Sequence, residues 1–298
     1  MDLDYRLAHL KAMEAFLRSA SLVDAPFMLK GSLVTRQYLK DPSARFAVDL
    51  DWVYLEYLDD RNKAENIFSK WLKDIAHARG TYGYRFKADE YWAGLDYAMA
   101  DDFPTISTYV KCYRHDEFLF NLKLDISFNL EILYDPKSLL YRPEGFIPFL
   151  IKKTCPLALQ VSWKLHQTLA RSRVKDFYDL IQLLKHEAFN EEELKKAILA
   201  LRKECWNDDI PVSKLQFYLE DTAINICKEK EENRLPENWY DIEPYSLQEL
   251  YYNLTALNII SLESIQPKEA IQYTKMSELL LDFQQALIDA GFTKDLLR

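Results

Sequence analysis

Two carboxylates in the run Arg45-Phe46-Ala47-Val48-Asp49-Leu50-Asp51-Trp52 are the residues best placed to do chemistry. If Val48 to Leu55 forms a strand, its period of two puts Asp49 and Asp51 on one face. Two like charges so close raise each other's protonation, and a cation between them relieves the repulsion. An all-oxygen site of this kind suits a divalent ion, Mg²⁺ above all. A third carboxylate sits in Asn121-Leu122-Lys123-Leu124-Asp125-Ile126-Ser127-Phe128. There Leu122, Leu124, Ile126 and Phe128 alternate toward a core and leave Lys123, Asp125 and Ser127 on the other face. Asp125 completes a metal site if its strand neighbours that of Asp49 and Asp51. Taken alone, an Asp-x-Asp pair is more often a solvated strand edge.

The elements that must position these groups precede and follow them. Phe27 to Leu29 reads as a short core strand ending in Lys30-Gly31-Ser32, with a helix-like segment from Leu33 to Leu39. Gly31 can adopt a turn closed to other residues, and Ser32 offers a hydroxyl at a helix N-terminus, where free N–H groups can hold a nucleotide phosphate. Alone, the pair is more often an ordinary turn and cap. Arg36 follows Ser32 by four residues and shares its helical face, and Arg45 sits at the mouth of the Asp49 strand. Each guanidinium suits either a phosphate contact or a salt bridge.

Around this centre, Tyr5 to Arg18 and Asp60 to Ala78 carry helical apolar stripes, the second ended by Gly80. Tyr82 to Phe86 and, after Pro104, Thr105 to Tyr113 read as strands. Several antiparallel strands with helices on one side follow from this order. The stretch Tyr134 to Pro148 is dense in turn signals and is the expected domain boundary. Beyond Cys155 the chain reads as helices at Leu157–Ala170, Val174–Lys185, Glu191–Cys205, Val212–Lys228, Leu247–Leu262 and Pro267–Ala290, a bundle. Between Lys152 and Lys185 seven Lys or Arg face only two Asp or Glu, Asp176 and Asp179, which lie three apart on one helical face. These two also suit helix-end charges paired with Lys175 or Arg173. Lys164, flanked by Trp163 and Leu165, is a compact ammonium able to neutralise a β- or γ-phosphate.

In order and spacing these parts resemble the nucleotidyltransferase superfold, and within it the AbiEii/AbiGii toxin family. The resemblance is carried by Lys30-Gly31-Ser32, by Arg45-Phe46-Ala47-Val48-Asp49-Leu50-Asp51, by Leu124-Asp125-Ile126-Ser127-Phe128, by Trp163-Lys164-Leu165 and by Val174-Lys175-Asp176-Phe177-Tyr178-Asp179-Leu180. Ala47 departs from the family's usual Ser, removing a hydroxyl but no expected metal ligand. The resemblance implies an α+β fold: a nucleotidyltransferase-like mixed sheet with flanking helices over residues 1–148 and a helical domain over 149–298 that completes the active-site cleft. It further implies Mg²⁺-dependent transfer of a nucleotide from a nucleoside triphosphate to a hydroxyl of RNA, notably a tRNA 3′ end, or of a protein. In that scheme Asp49, Asp51 and Asp125 hold metal, with Asp125 also a base. Gly31, Ser32 and Arg36 bind the triphosphate, Lys164 serves the departing pyrophosphate, and Asp176 and Asp179 close the site. A cognate antitoxin would be the partner, and the basic helices after Lys152 would offer RNA contacts.

Composition agrees. With 298 residues, 49% hydrophobic and 29% charged, the chain is an ordinary globular one. A formal charge of −9 disfavours indiscriminate nucleic-acid binding without excluding a local basic groove. Met1 to Arg6 lacks a signal-peptide pattern and no run reaches membrane-span length, so a cytoplasmic protein without a membrane partner is expected. Cys112, Cys155, Cys205 and Cys227 are too scattered for a zinc site and read as free thiols. Two rivals keep the acidic cluster: a metal-dependent nuclease, for which the Gly31-Ser32 turn has little purpose, and a catalytically silent binding protein of the same fold.

Overall fold

A computed structural model describes residues 3–78, 82–88, 91–95, 105–234, 245–256, 262 and 272–297. Gly80, Pro104, residues 257–261 and 267–271 lie outside these. The chain divides into two compact units, the first made of Met1–Gln37 and Phe46–Pro156 and the second of Tyr38–Arg45 and Leu157–Arg298.

The first unit contains helix α1 (Leu3–Ala20), strand β1 (Phe27–Leu29), the one-turn helix α2 (Ser32–Thr35), β2 (Asp49–Tyr54), α3 (Arg61–His77), β3 (Tyr84–Ala88), β4 (Ala93–Leu95), β5 (Thr105–Arg114), β6 (Glu117–Ser127), β7 (Lys137–Tyr141) and β8 (Phe149–Thr154). Among the described residues the strands form one eight-stranded mixed sheet in the order β3-β5-β6-β2-β1-β8-β7, with β4 on β5. β2 lies antiparallel to β1 and parallel to β6, so the central strands bring the distant runs at 29, 50 and 124 side by side.

Alternation along these strands builds the core. Leu50, Trp52 and Tyr54 on β2, with Leu122, Leu124 and Ile126 on β6, are buried on one face. Against β2 sits the stripe Ala64, Phe68, Trp71, Leu72 and Ile75 of α3, whose Trp71 stacks on Phe27 at 3.8 Å and meets Trp52 edge-on. Such ring pairs add roughly 0.5–1.5 kcal/mol each to the burial itself. Asp60 caps α3 by accepting from the Asn62 N–H. The period of two then places Asp49 and Asp51 on the opposite face of the sheet.

The turn-rich stretch before Pro148 lies inside this unit, not at its end. It holds β7, and β8 after it pairs parallel to β1 through Leu29 and Thr154, so the first unit continues to Pro156. Turn residues mark any reversal, including one within a sheet, which is why their density misplaced the break.

The second unit carries α4 (Leu157–Ala170), α5 (Val174–Leu184), α6 (Glu191–Asn207), α7 (Gln216–Leu219), α8 (Thr222–Glu231), α9 (Tyr245–Ala256) and α10 (Met276–Asp289). The helix expected across Val212–Lys228 is instead a 3₁₀ turn, α7 and α8, broken at Glu220. Their apolar stripes meet in a core that includes Leu165, Phe177, Leu201, Tyr218, Phe283 and Leu287. All four cysteines are buried free thiols, and no described helix is long and apolar enough to cross a membrane.

Candidate functional site

The parallel pairing of β2 with β6 sets Asp51 opposite Asp125 and Asp49 opposite Lys123. One carboxylate oxygen from each of Asp49, Asp51 and Asp125 lies within 4.8 Å of the others. Asp125 is buried, and Lys123 Nζ donates to its Oδ2 at 2.8 Å. Burial raises its pKa, as does Asp49, while Lys123 and Lys30 pull it back down. Its second oxygen, Oδ1, is buried with no hydrogen-bond partner among the described residues. A buried, unmatched anionic oxygen is costly unless a cation or donor meets it. Three converging carboxylates, one with that orphaned oxygen, fit a hard divalent cation such as Mg²⁺.

Gly31 is built into the same cluster. Its φ of +75° favours glycine, and a Cβ there would lie 2.1 Å from Asp51 Oδ2. The Lys30 N–H donates to the Asp51 carbonyl at 2.9 Å, fixing the turn against β2. Ser32 is buried beside it with an Oγ that has no hydrogen-bond partner among the described residues. The helix that follows is one turn long before it tightens to a 3₁₀ turn at Arg36–Tyr38. It therefore lacks the length expected between Leu33 and Leu39, and the hydroxyl rather than a helix dipole is what the turn presents.

Arg36, expected near a phosphate, is 1% exposed. It hydrogen-bonds Tyr141 and lies close enough to Glu14 to lower its pKa. Tyr141 in turn donates to Glu14 Oε1 at 3.1 Å, and the Glu144 N–H donates to Oε2 at 2.7 Å. Arg36 thus belongs to a buried cluster that ties α1 to the end of β7.

In the second unit, Lys164, Asp176 and Asp179 come together. Lys164 Nζ donates to Asp179 Oδ2 at 2.7 Å and to Asp176 Oδ1 at 3.4 Å. Arg45 Nε reaches Asp179 Oδ1 at 3.0 Å, and Arg173 pairs with Asp176. Both aspartates are fully buried and both face Lys164. Burial pushes the Asp179 carboxyl up, but Arg45 and Lys164 outweigh it and hold it below its usual value. Arg45, a salt-bridge or phosphate candidate in the sequence, is in the salt bridge.

Sequence reasoning passed over two partners. Lys123 was visible as the residue two before Asp125 on the same strand face. Glu14 was visible as a carboxylate inside the apolar run Met13, Phe16, Leu17, where an ionisable side chain needs buried partners.

The family model described as "Nucleotidyl transferase AbiEii toxin, Type IV TA system" matches residues 13–285. Among solved structures, MenT4, a nucleotidyltransferase toxin from Mycobacterium tuberculosis H37Rv, is similar over 96% of this chain and 95% of its own, with a TM-score of 0.50 and 13% identity, a likeness of fold. No curated protein matches the chain. With nearly the whole chain matched by the family model, and the acidic triad assembled on β2 and β6 beside the Gly31 turn, the protein belongs to the AbiEii nucleotidyl transferase toxin family of type IV toxin–antitoxin systems.

Proposed function

We propose that the protein is a Mg²⁺-dependent nucleotidyltransferase that moves a nucleotide from a nucleoside triphosphate to a hydroxyl of RNA or protein. The observation that carries this is the convergence of Asp49, Asp51 and Asp125 within 4.8 Å, with Gly31 fitted against Asp51. These three aspartates would hold the metal. Bound there, Mg²⁺ supplies charge neutralisation at the triphosphate and lowers the pKa of an acceptor hydroxyl. Ser32 Oγ, buried and without a hydrogen-bond partner among the described residues, donates to a phosphate oxygen, and the lack of a side chain at Gly31 lets Asp51 lie against the turn. Asp125 takes the acceptor proton. In the second unit, Asp176 and Asp179 orient Lys164, an assignment their ion pairs with it support.

The test is mass spectrometry of RNA and of total protein after incubation with Mg²⁺ and each of the four ribonucleoside triphosphates. A nucleotide-sized mass gain is expected that Asp49→Asn and Asp51→Asn each abolish. Shortened RNA without mass gain would mean a nuclease. A neutralising antitoxin partner accords with the family; production of the chain alone in a bacterium should arrest growth, and the Asp49→Asn form should not.

A further inference from the structure

The polar face of the sheet does not stop at the acidic triad. Register carries it outward in rows. Asp51, Asp125 and Ser107 form the first, Asp49, Lys123 and Tyr109 the second, and Asn121, Lys111 and Lys87 the third. A bulge between Cys112 and Tyr113 then sets Phe118 opposite Tyr113, and Arg85 follows on β3. Successive rows are about 6.6 Å apart, two strand residues.

This face is open. Tyr109 and Phe118 are 50% and 53% exposed, large for aromatic side chains on a sheet whose other face is a closed core. Phe118 and Tyr113 form an edge-on pair at 5.9 Å. Arg85, Lys87 and Asn121 are exposed, and Lys111 and Lys123 half-buried. Four cations on this track, in a chain of net charge −9, meet Asp116 on Arg85 and Asp125 on Lys123 as their paired carboxylates. Alternating exposed rings and cations on an open sheet match the demands of a single-stranded nucleic acid. Its bases stack on aromatic faces and its phosphates take Lys and Arg. A folded protein acceptor would be better served by a dry apolar centre with few charges.

We propose that the β3-β5-β6 face, from Tyr109 to Arg85, is a binding track for single-stranded RNA that leads an acceptor hydroxyl to the acidic triad. Tyr109 stacks a base nearest the triad, Tyr113 and Phe118 hold one farther out, and Lys111 and Lys87 take the phosphates between them. The location of the triad at one end rests on the nucleotidyl-transfer reading; the track's affinity for RNA does not.

The experiment is fluorescence anisotropy with a labelled single-stranded RNA of about 12 nucleotides, inside the ~4–16-nucleotide range of open platforms. The Asp49→Asn protein is used so that no turnover intervenes. Tyr109→Ala should weaken binding about 5- to 100-fold, the usual effect of losing one stacking ring. Lys87→Ala with Lys111→Ala should lower the slope of log K against log salt by about 1.4, two contacts on a single strand. These side chains are exposed or half-buried, and unchanged thermal midpoints will show that the variants fold. Wild-type affinity and salt slope in both variants would overturn the track, as would nucleotide incorporation into protein alone with Tyr109→Ala unaffected. RNA binding that both variants weaken, without nucleotide incorporation by the unmodified chain, would leave the track standing and remove the transferase reading.

Discussion

Lys123 and Asp125 share one face of β6, and their ion pair at 2.8 Å satisfies one oxygen of a carboxylate buried at the acidic triad, whose other oxygen has no partner among the described residues. The ammonium stands as the counter-charge to a group that would otherwise be an unpaired buried anion. Lys123→Met should therefore lower stability by about 1–2 kcal/mol, the middle range for a pair with one half-exposed partner. Mg²⁺ supplies the same positive charge, so adding it should restore more of the midpoint in the variant than in the parent. Thermal unfolding in chelator and in Mg²⁺ measures both; an equal loss in the two buffers would show that Lys123 and the metal do not serve the same carboxylate.

Gly31→Ala puts a methyl group 2.1 Å from Asp51 Oδ2 and forces a left-handed φ on a residue with a side chain. At φ +75° and ψ −152° the backbone alone costs about 1–3 kcal/mol. Because Asp51 must move, Mn²⁺ affinity should fall roughly 10- to 100-fold, as when a ligand's support is removed. Ser32→Ala, next in the chain, should bind Mn²⁺ as the parent does and lose nucleotide affinity instead. Titration calorimetry with each ligand separates the two. Equal Mn²⁺ affinity in Gly31→Ala would mean that Asp51 is not a ligand.

The triad was legible because strand alternation is a local code: Leu50 and Leu124 in the core fix which way Asp49, Asp51 and Asp125 face. The parallel pairing of β2 with β6 was not, since it joins segments some seventy residues apart and no periodicity encodes a partner; the family resemblance implied only that Asp125 joins the other two aspartates at a metal. Arg36 shows a different limit. Its spacing from Ser32 was read as a shared helical face, but the helix is one turn long and its guanidinium finds buried partners, Tyr141 and Glu14, that lie far away in sequence. Asp176 and Asp179 were recognisable as a pair, because helix spacing puts them on one face, whereas their link to Lys164 came from the family resemblance. That both would be fully buried followed only from the packing of α4 on α5.

Lys164→Met removes one cation from a buried chain of charges that runs Arg45, Asp179, Lys164, Asp176, Arg173. Arg45 and Arg173 still hold one aspartate each, so the loss should fall at the lower end for a broken buried pair, about 3 kcal/mol. Asp179→Asn in a double-mutant cycle with Lys164→Met should give a coupling of ~1 kcal/mol or more. Denaturant unfolding of the four proteins checks this. Strictly additive losses would show that the 2.7 Å contact contributes nothing specific, and kinetic defects of Lys164 variants would then reflect something other than this network.

Glu14 should make the first unit sensitive to pH. Burial raises its pKa from 4.5 to about 7, against the pull of Arg36, the Glu144 N–H and Tyr141, with the Glu144 charge adding to the rise. A raised carboxyl favours the protonated form in the folded state, so its contribution to stability is complete below pH 4.5. It is lost as pH climbs toward 7, because the unfolded chain releases its proton first. Each pH unit in that window removes about 1.4 kcal/mol, or ~3 kcal/mol across it. Glu14→Gln, which cannot ionise, should lack this slope while keeping that of every other group. The difference in unfolding free energy, parent minus variant, should fall between pH 4.5 and 7 and stay level above 7, as followed by urea titration at half-unit steps. A difference that is flat, or that rises with pH, would mean that the Arg36 and Tyr141 contacts keep Glu14 ionised in the folded protein.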